Sequence, residues 1–521
     1  MASDLRLALL TRAKARVPLL VASAALGHLA YPQTDWHLLI WVSLAPVFAC
    51  AMRRSPWQAF ADGWIHGLTF FILLLRWLDY TFQTYSLIPW PITWLPLLGL
   101  AGYCALYTGL VAAAVSWLGT RVGTGWALAS APVLWVAAEW LRGHLLSGFP
   151  WGLLGYSQAS VLPVIQVAEW TGVYGVSFLI AGTNAALAAA AALSWRRAWG
   201  GQVALAALLL ATVTFGWQLL PSPETGRLRV VVVQPSIDQA QKWDPELLDK
   251  SLGIYRALTL KAAEVSPALV VWPETAAPIF LRRDPATLAR VRALAGEIRA
   301  PVLLGSVDSG QAGDGLPLNS AFLVTKQGIG AKYDKMHLVP FGEYVPLSRL
   351  LGFVRGWAEF ISDFAAGRHP VVFGDGRAPF GVVICYEGLF PELFRQFVKG
   401  GAEFMVNITN DAWFGTTGGP WQHLAVLPLR AVENRVAIAR AANTGVSAII
   451  APSGQIRQSL GLFRRGTIEA QLPLRTRRTF YTRYGDVFAY TCIALAILAG
   501  CLGCWRPWAS VRPADEKGSE E

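Results

Sequence analysis

Val382-Val383-Ile384-Cys385-Tyr386-Glu387-Gly388 reads as a short buried strand that ends on a cysteine and passes into a turn. A β-branched apolar run bounded by a turn residue is a strand signal. The end of such a strand is where α/β domains carry reactive groups. Outward from this stretch the pattern repeats. Similar runs stand at 227–235, 268–272, 301–306, 320–325, 404–409 and 446–451, with helical patterns at 245–265, 285–299 and 421–441 between several of them. Strands alternating with helices argue an α/β domain, predicted here over 221–486.

The rest of the chain has a different solvent in view. Of 521 residues, 54% are hydrophobic and only 15% charged, against about 25% charged in an ordinary soluble domain. Apolar runs lie near 17–30, 37–52, 58–78, 91–117, 125–140, 162–194, 201–220 and 487–505. They approach the roughly 20 residues that a membrane-spanning helix needs. The expectation is a polytopic α-helical membrane domain of about eight spans. About seven lie in 1–220 and a final one at 487–505, before a polar tail at 506–521. The first run follows Arg6, Arg12, Lys14 and Arg16 and has no small-residue cleavage site, so it is read as an uncleaved span.

Arg53, Arg54, Arg121, Arg196, Arg197, Arg506 and Arg512 follow alternate runs, whereas 31–36 and 79–90 hold no Lys or Arg. The positive-inside tendency then puts both termini in the cytoplasm and 221–486 outside, which in a bacterium is the periplasmic side of the inner membrane. The net charge of +11 sits in these short clusters. It reads as topology rather than as a nucleic-acid face.

Six cysteines are present, and Cys385 alone lies in the outer domain. An internal disulfide there is excluded, and a lone thiol in an oxidising compartment needs either burial or a use. Cys501 and Cys504 have a C-x-x-C spacing without a second ligand pair, and no carboxylate-rich spacing surrounds His337 or His423. No metal and no organic cofactor is implied, and both histidines read as structural.

Three segments carry a resemblance: Val270-Val271-Trp272-Pro273-Glu274, then Tyr333-Asp334-Lys335-Met336-His337-Leu338-Val339-Pro340-Phe341-Gly342-Glu343, then Ile384-Cys385-Tyr386-Glu387. In order and local sequence they resemble the nitrilase, or carbon–nitrogen hydrolase, superfamily. That resemblance implies an αββα sandwich with Glu274, Lys335 and Cys385 as catalytic residues. The types suit acyl transfer: a thiol that loses its proton to Glu274 becomes a strong nucleophile, and Lys335 supplies fixed positive charge for the oxyanion. The competing reading makes Glu274 and Lys335 an ion pair beside a packed cysteine. Glu343 and Glu387 are candidates to hold the Lys335 ammonium, Tyr386 to support the acyl pocket, and Trp243 to line a lipid entrance.

The fusion of such a domain to membrane spans resembles bacterial apolipoprotein N-acyltransferases. Glu139-Trp140-Leu141-Arg142, Gly148-Phe149-Pro150-Trp151, Gly155-Tyr156-Ser157-Gln158, Asn410-Asp411-Ala412-Trp413-Phe414-Gly415 and Gly419-Pro420-Trp421-Gln422-His423 add to it. The implied partners are a phospholipid acyl donor, typically phosphatidylethanolamine, and a diacylated apolipoprotein acceptor. The acyl chain would pass through a thioester on Cys385 to the N-terminal amine of diacylglyceryl-cysteine. Two rivals stand beside this reading: a membrane-anchored amidase using the same residues, and a lipid-binding or transport scaffold without activity. The apolar, aromatic segment 350–364, with Phe353 and Trp357, reads as a lid at the membrane surface. Glu139, Arg142 and Glu169 fall in or beside spans, where charges are costly and often functional. Arg142 is a candidate to meet a lipid phosphate or to clamp Glu139.

Overall fold

The computed structural model describes residues 13–220, 225–309, 315–346, 348–352, 363–374, 378–475 and 477–505. Phe353, Trp357 and most of the expected lid lie outside the described residues, as does the tail from 506 onward.

Helices form wherever the apolar runs are long and free of breakers. Among the described residues, Trp94–Val122, Val173–Ala192, Ala198–Leu219 and Val487–Trp505 are long and apolar enough to cross a membrane. Pro56–Leu74 and Trp77–Tyr85 pass the same test only as a pair bent by 52°. Other expected runs are interrupted for identifiable reasons. Run 37–52 breaks into Ile40–Ser43 and Ala45–Ala51. At that break the buried Asn184 side chain accepts from the backbone N–H of Leu44 and Ala45 at 2.8 and 2.9 Å and donates to the Ile40 carbonyl at 3.0 Å. Run 162–194 turns at Gly172, which takes φ +64°, a conformation open chiefly to glycine. Thr124–His144 is continuous, but Glu139 and Arg142 make it less apolar. These two do not clamp each other. Arg142 is buried and donates to the carbonyls of Phe149 and Trp151 at 2.9 and 2.6 Å. Glu139 accepts from the Leu154 N–H at 2.8 Å. Together they fix the chain at 149–154, which leaves the buried Arg142 turned to backbone carbonyls rather than to a lipid phosphate.

The sheet half is two mixed sheets face to face. One has seven strands and runs Gly466–Leu474, Thr225–Gln234, Leu269–Val271, Val302–Ser309, Pro317–Thr325, Gly328–Asp334, with Ala277–Phe280 also paired to Val302–Ser309. The other has six and runs Ile456–Leu460, Ser447–Ile450, Ala437–Ala442, Phe404–Thr409, Phe380–Ile384, Val372–Phe373. Alternation along the strands sets the layers. Val230, Val232, Val271, Leu303 and Leu323 join a core shared with the second sheet. Their neighbours Val231, Val233, Val270, Val302 and Leu304 pack instead with residues of helices Leu248–Ala263 and Pro285–Ile298. A strand covered on both faces needs no polar positions, so these runs read as continuously apolar.

The two halves are joined by buried polar contacts. Glu169 takes the Arg435 Nε at 2.7 Å and the Arg477 Nη2 at 2.8 Å. Trp151 Nε1 donates to Gln422 Oε1 at 2.8 Å, Thr81 to the Trp413 carbonyl at 2.9 Å, and Gln166 to the Ser453 carbonyl at 3.0 Å. Removing one partner of a buried pair leaves the other charge uncompensated, at about 3–5 kcal/mol. Glu169→Ala, which strands Arg435, should therefore clearly lower the thermal midpoint of the detergent-solubilised protein. An unchanged midpoint would show that the junction does not depend on this pair.

Candidate active site

Leu269–Val271 and Phe380–Ile384 both run parallel to a central neighbour, and their C-terminal ends meet at the seam between the sheets. Glu274 lies just past the first. The chain passes so close to its neighbour that a Cβ on Gly305 would sit 2.3 Å from the Thr275 nitrogen and 2.6 Å from the Glu274 Cα. Lys335 follows directly on the strand Gly328–Asp334, and Cys385 begins the turn Cys385–Leu389. Cys385 has φ +52°. For a residue with a side chain this conformation costs on the order of 1–3 kcal/mol and persists only where its surroundings hold it.

Those surroundings are specific. Glu387 is fully buried and accepts four bonds: from Ile384 N–H at 2.7 Å, Met336 N–H at 2.7 Å, His337 N–H at 3.1 Å and the Tyr333 hydroxyl at 2.8 Å. It thus ties the backbone before Cys385 to the backbone after Lys335. Of the two carboxylates expected to hold the Lys335 ammonium, Glu343 bonds it and Glu387 does not. Burial pushes the Glu387 carboxyl up to about 7, against the pull of these donors. On the other side His423, with its Nδ1 2.9 Å from Asp411 Oδ1, brings its Nε2 to 3.2 Å from the Cys385 carbonyl. Asp411 also takes Arg440 at 2.6 Å, and although burial opposes ionisation, Arg440 and His423 hold its carboxyl down at about 2. Both ring nitrogens of His423 are thus engaged within the protein.

Lys335 is almost wholly buried between two carboxylates. Its Nζ is 2.8 Å from Glu343 Oε1 and 3.5 Å from Glu274 Oε1. Burial works against the ammonium, but Glu343 and then Glu274 outweigh it and raise the Lys335 pKa. The positive charge is therefore permanent at any working pH. Glu274 is oriented by Asn319 Nδ2 at 2.8 Å on one oxygen and the Asn410 N–H at 2.9 Å on the other. Asn319 also donates to Glu343 at 3.0 Å, whose second oxygen accepts from Val339 N–H at 2.8 Å. The Cys385 thiol is pushed up by burial and next by Glu274, with Lys335 opposing.

Tyr386 is buried and donates to the Gly148 carbonyl at 3.3 Å, which joins the neighbour of Cys385 to the helical half. Trp243 is 47% exposed, at the rim. The residue before it is the more intimate one. Lys242 is buried, donates to the Glu274 carbonyl at 2.9 Å, and is lowered by burial to about 8. Sequence reading missed Lys242, Asn319, Asp411 and Arg440. A signal for Asn319 was present, since a lone amide inside an apolar buried strand needs a partner. Among the described residues no group of three His, Cys, Asp or Glu side chains could hold a metal ion.

Glu387→Gln keeps the shape but turns an amide toward N–H donors. With its oxygen kept toward Met336, His337 and Tyr333, the amide strands only the Ile384 N–H, at about 1–3 kcal/mol, so acyl-transfer kcat should fall about 10-fold or more. A near-wild-type rate would show that the carboxylate is dispensable for holding Cys385 and Lys335 in register.

Residues 23–186 match the family described as apolipoprotein N-acyltransferase N-terminal domain, and residues 229–481 match carbon-nitrogen hydrolase. The chain is 40% identical over 491 residues to an apolipoprotein N-acyltransferase of Geobacter metallireducens, covering 92% of this chain and 94% of that one. It is 36% identical over 430 residues to one from Bradyrhizobium diazoefficiens, covering 77% and 78%. A solved amidase from Nesterenkonia sp. AN1 is 22% identical with a TM-score of 0.38, covering 48% of this chain and 92% of that one.

Proposed function

The chain belongs to the apolipoprotein N-acyltransferase family, and from that premise we propose a two-step acyl transfer through Cys385. The donor is a phospholipid, phosphatidylethanolamine. The acceptor is the N-terminal amine of a diacylglyceryl-cysteine on an apolipoprotein. In the first step Cys385 Sγ attacks the ester carbonyl carbon while Glu274 takes the thiol proton. The Lys335 ammonium, steadied by Glu343, faces the oxygen on which negative charge develops. The C–O bond to glycerol breaks, Glu274 returns the proton to that oxygen, and a lysophospholipid leaves. In the second step the acceptor amine attacks the thioester carbonyl and gives its proton to Glu274. The C–S bond breaks and the proton returns to sulfur, which restores the enzyme.

The observation that carries this reading is the bond from Tyr386, beside the nucleophile, to Gly148 of the helical half. It sets the thiol against the outer ends of apolar helices, where a lipid ester is held at high effective concentration. A small-amide hydrolase gains nothing from that position.

We further propose eight crossings in the bacterial inner membrane, built on Ala13–Leu29, the short helices between His37 and Ala51, Pro56–Leu74, Trp94–Val122, Thr124–His144, Val173–Ala192, Trp195–Leu219 and Val487–Trp505. On this reading 1–220 and 487–505 are membrane segments, 221–486 is a periplasmic catalytic domain, and 506–521 is cytoplasmic. Two observations support it. Connectors near Gln33, Thr81, Gly148 and Gln166 all bond to the sheet half. Arg16 and Arg54 gather on Asp62, at the far end of the bundle. That is the side the positive-inside tendency assigns to the cytoplasm.

The test uses purified protein in phosphatidylethanolamine vesicles with a diacylated lipopeptide, its N-terminal amine either free or acetylated. Mass spectrometry should find one added acyl chain on the free-amine peptide only, and none with Cys385→Ser. An acyl-enzyme that hydrolyses while the peptide stays unchanged would make the protein a membrane hydrolase. No acyl-enzyme at all would make it a scaffold.

A further inference from the structure

The segment leading from the sheets to the last helix carries Arg475, Arg477, Arg478 and Arg483. On the proposed topology this is the outer side, where 31–36 and 79–90 hold no Lys or Arg. Short loops there are ordinarily poor in both. Arg477 is accounted for by Glu169. The others are not. Arg478 and Arg483 are exposed, and among the described residues neither forms a salt bridge. The one side-chain bond of Arg478 is a long one, 3.4 Å, to the carbonyl of Lys399, itself an exposed cation. Arg475 has a buried Nε without a partner. Burial first and the neighbouring Arg478 charge second lower its pKa, and the carboxylate of Glu403 acts on it only from beyond ion-pair distance. Cations held side by side repel unless an anion sits between them.

A second observation fixes the depth of this row. Phe480 stacks on Trp170 with ring centroids 5.9 Å apart and meets Tyr484 at 4.7 Å. Trp170 in turn lies 6.5 Å from Phe215, near the end of the apolar helix Ala198–Leu219. Trp170, Phe215, Phe480, Tyr484 and Tyr490 are all exposed. An aromatic belt at the outer ends of two apolar helices marks the level of lipid headgroups. Arg478 and Arg483 stand next to Phe480 and Tyr484 in the chain, two and one residues before them, and both are exposed.

We propose that Arg475, Arg478, Arg483 and Lys399 bind the headgroup phosphate of an anionic phospholipid at the outer membrane surface, beside the last helix. The proposal rests on the membrane topology given above. The bidentate fork of arginine suits a phosphodiester. A net-negative headgroup is favoured over a zwitterionic one because the latter brings its own ammonium into the cationic row. Bound there, the lipid offsets the crowded positive charge and ties the sheet half to the last helix, next to the Arg477–Glu169–Arg435 junction.

Native mass spectrometry of the full-length protein, titrated with phosphatidylglycerol, phosphatidylethanolamine or phosphatidylcholine, tests this directly. The wild type should bind phosphatidylglycerol most tightly. At about 1 kcal/mol per surface cation, the Arg478→Gln/Arg483→Gln double variant should bind it about 30-fold more weakly. Arg478→Lys/Arg483→Lys, which keeps the charge but loses the fork, should recover only part of the loss. Equal phosphatidylglycerol binding by the wild type and the glutamine variant would overturn the proposal, as would wild-type binding that does not distinguish phosphatidylglycerol from phosphatidylcholine. Acyl transfer from phosphatidylethanolamine, followed on the same samples, reports separately on the function proposed above.

Discussion

An ammonium buried between two carboxylates is the constraint around which the site is arranged. Desolvating Lys335 costs several kcal/mol, and only well-placed opposite charge offsets it. Glu343 at 2.8 Å and Glu274 at 3.5 Å supply that charge, but two carboxylates over-compensate one cation. The surplus is spread over neutral donors: Asn319, the Asn410 N–H and the Val339 N–H. These come from both sheets and from the loop after Lys335, so the cluster forms only when all three are in place. The chemistry follows from that rigidity. A positive charge already fixed needs no reorganisation when the oxyanion appears.

The proposed nucleophile is held by a different device. Cys385 is strained at φ +52°, and it stays there because its neighbours are pinned from two sides. Glu387 gathers four donors from both flanks of the seam, and the Asp411–His423 pair reaches the Cys385 carbonyl. Tyr386 then carries the same turn to Gly148 in the helical half. Gly148 follows Leu146 and Ser147, both also in the left-handed region, at φ +54° and +70°. His337 and Tyr344 bind Ser147 from the catalytic side. The candidate site and the helix ends that face it are therefore one hydrogen-bonded unit.

Much of this was legible in the sequence, for physical reasons that differ by residue. The strands were legible because burial on both faces leaves uninterrupted apolar runs, as in Val230 to Val233. Glu274 and Lys335 were legible only through the resemblance of their segments to the nitrilase superfamily, whereas Cys385 also stood out as the lone thiol of the sheet half, at a strand end. Glu387 was visible as a residue but not as a role, since three of its four partners are backbone N–H groups, which carry no signature in sequence. Lys242 was hidden for the same reason, its partner being a carbonyl. The breaks near Leu44 depend on Asn184, some 140 positions away, and no local pattern shows them. Arg142 and Glu139 looked like a pair or a lipid contact, yet both satisfy backbone of the segment that follows them.

The central claim is that a fixed ammonium, not a pre-ionised thiol, makes Cys385 reactive toward an ester. Single-turnover acylation of Cys385 from phosphatidylethanolamine vesicles, read as the mass of the intact protein without acceptor, tests it in Lys335→Met. The account predicts that this variant, with the helical and sheet halves still folded, forms the thioester about 10²–10³-fold more slowly than the wild type. Acylation of Lys335→Met at the wild-type rate would contradict it.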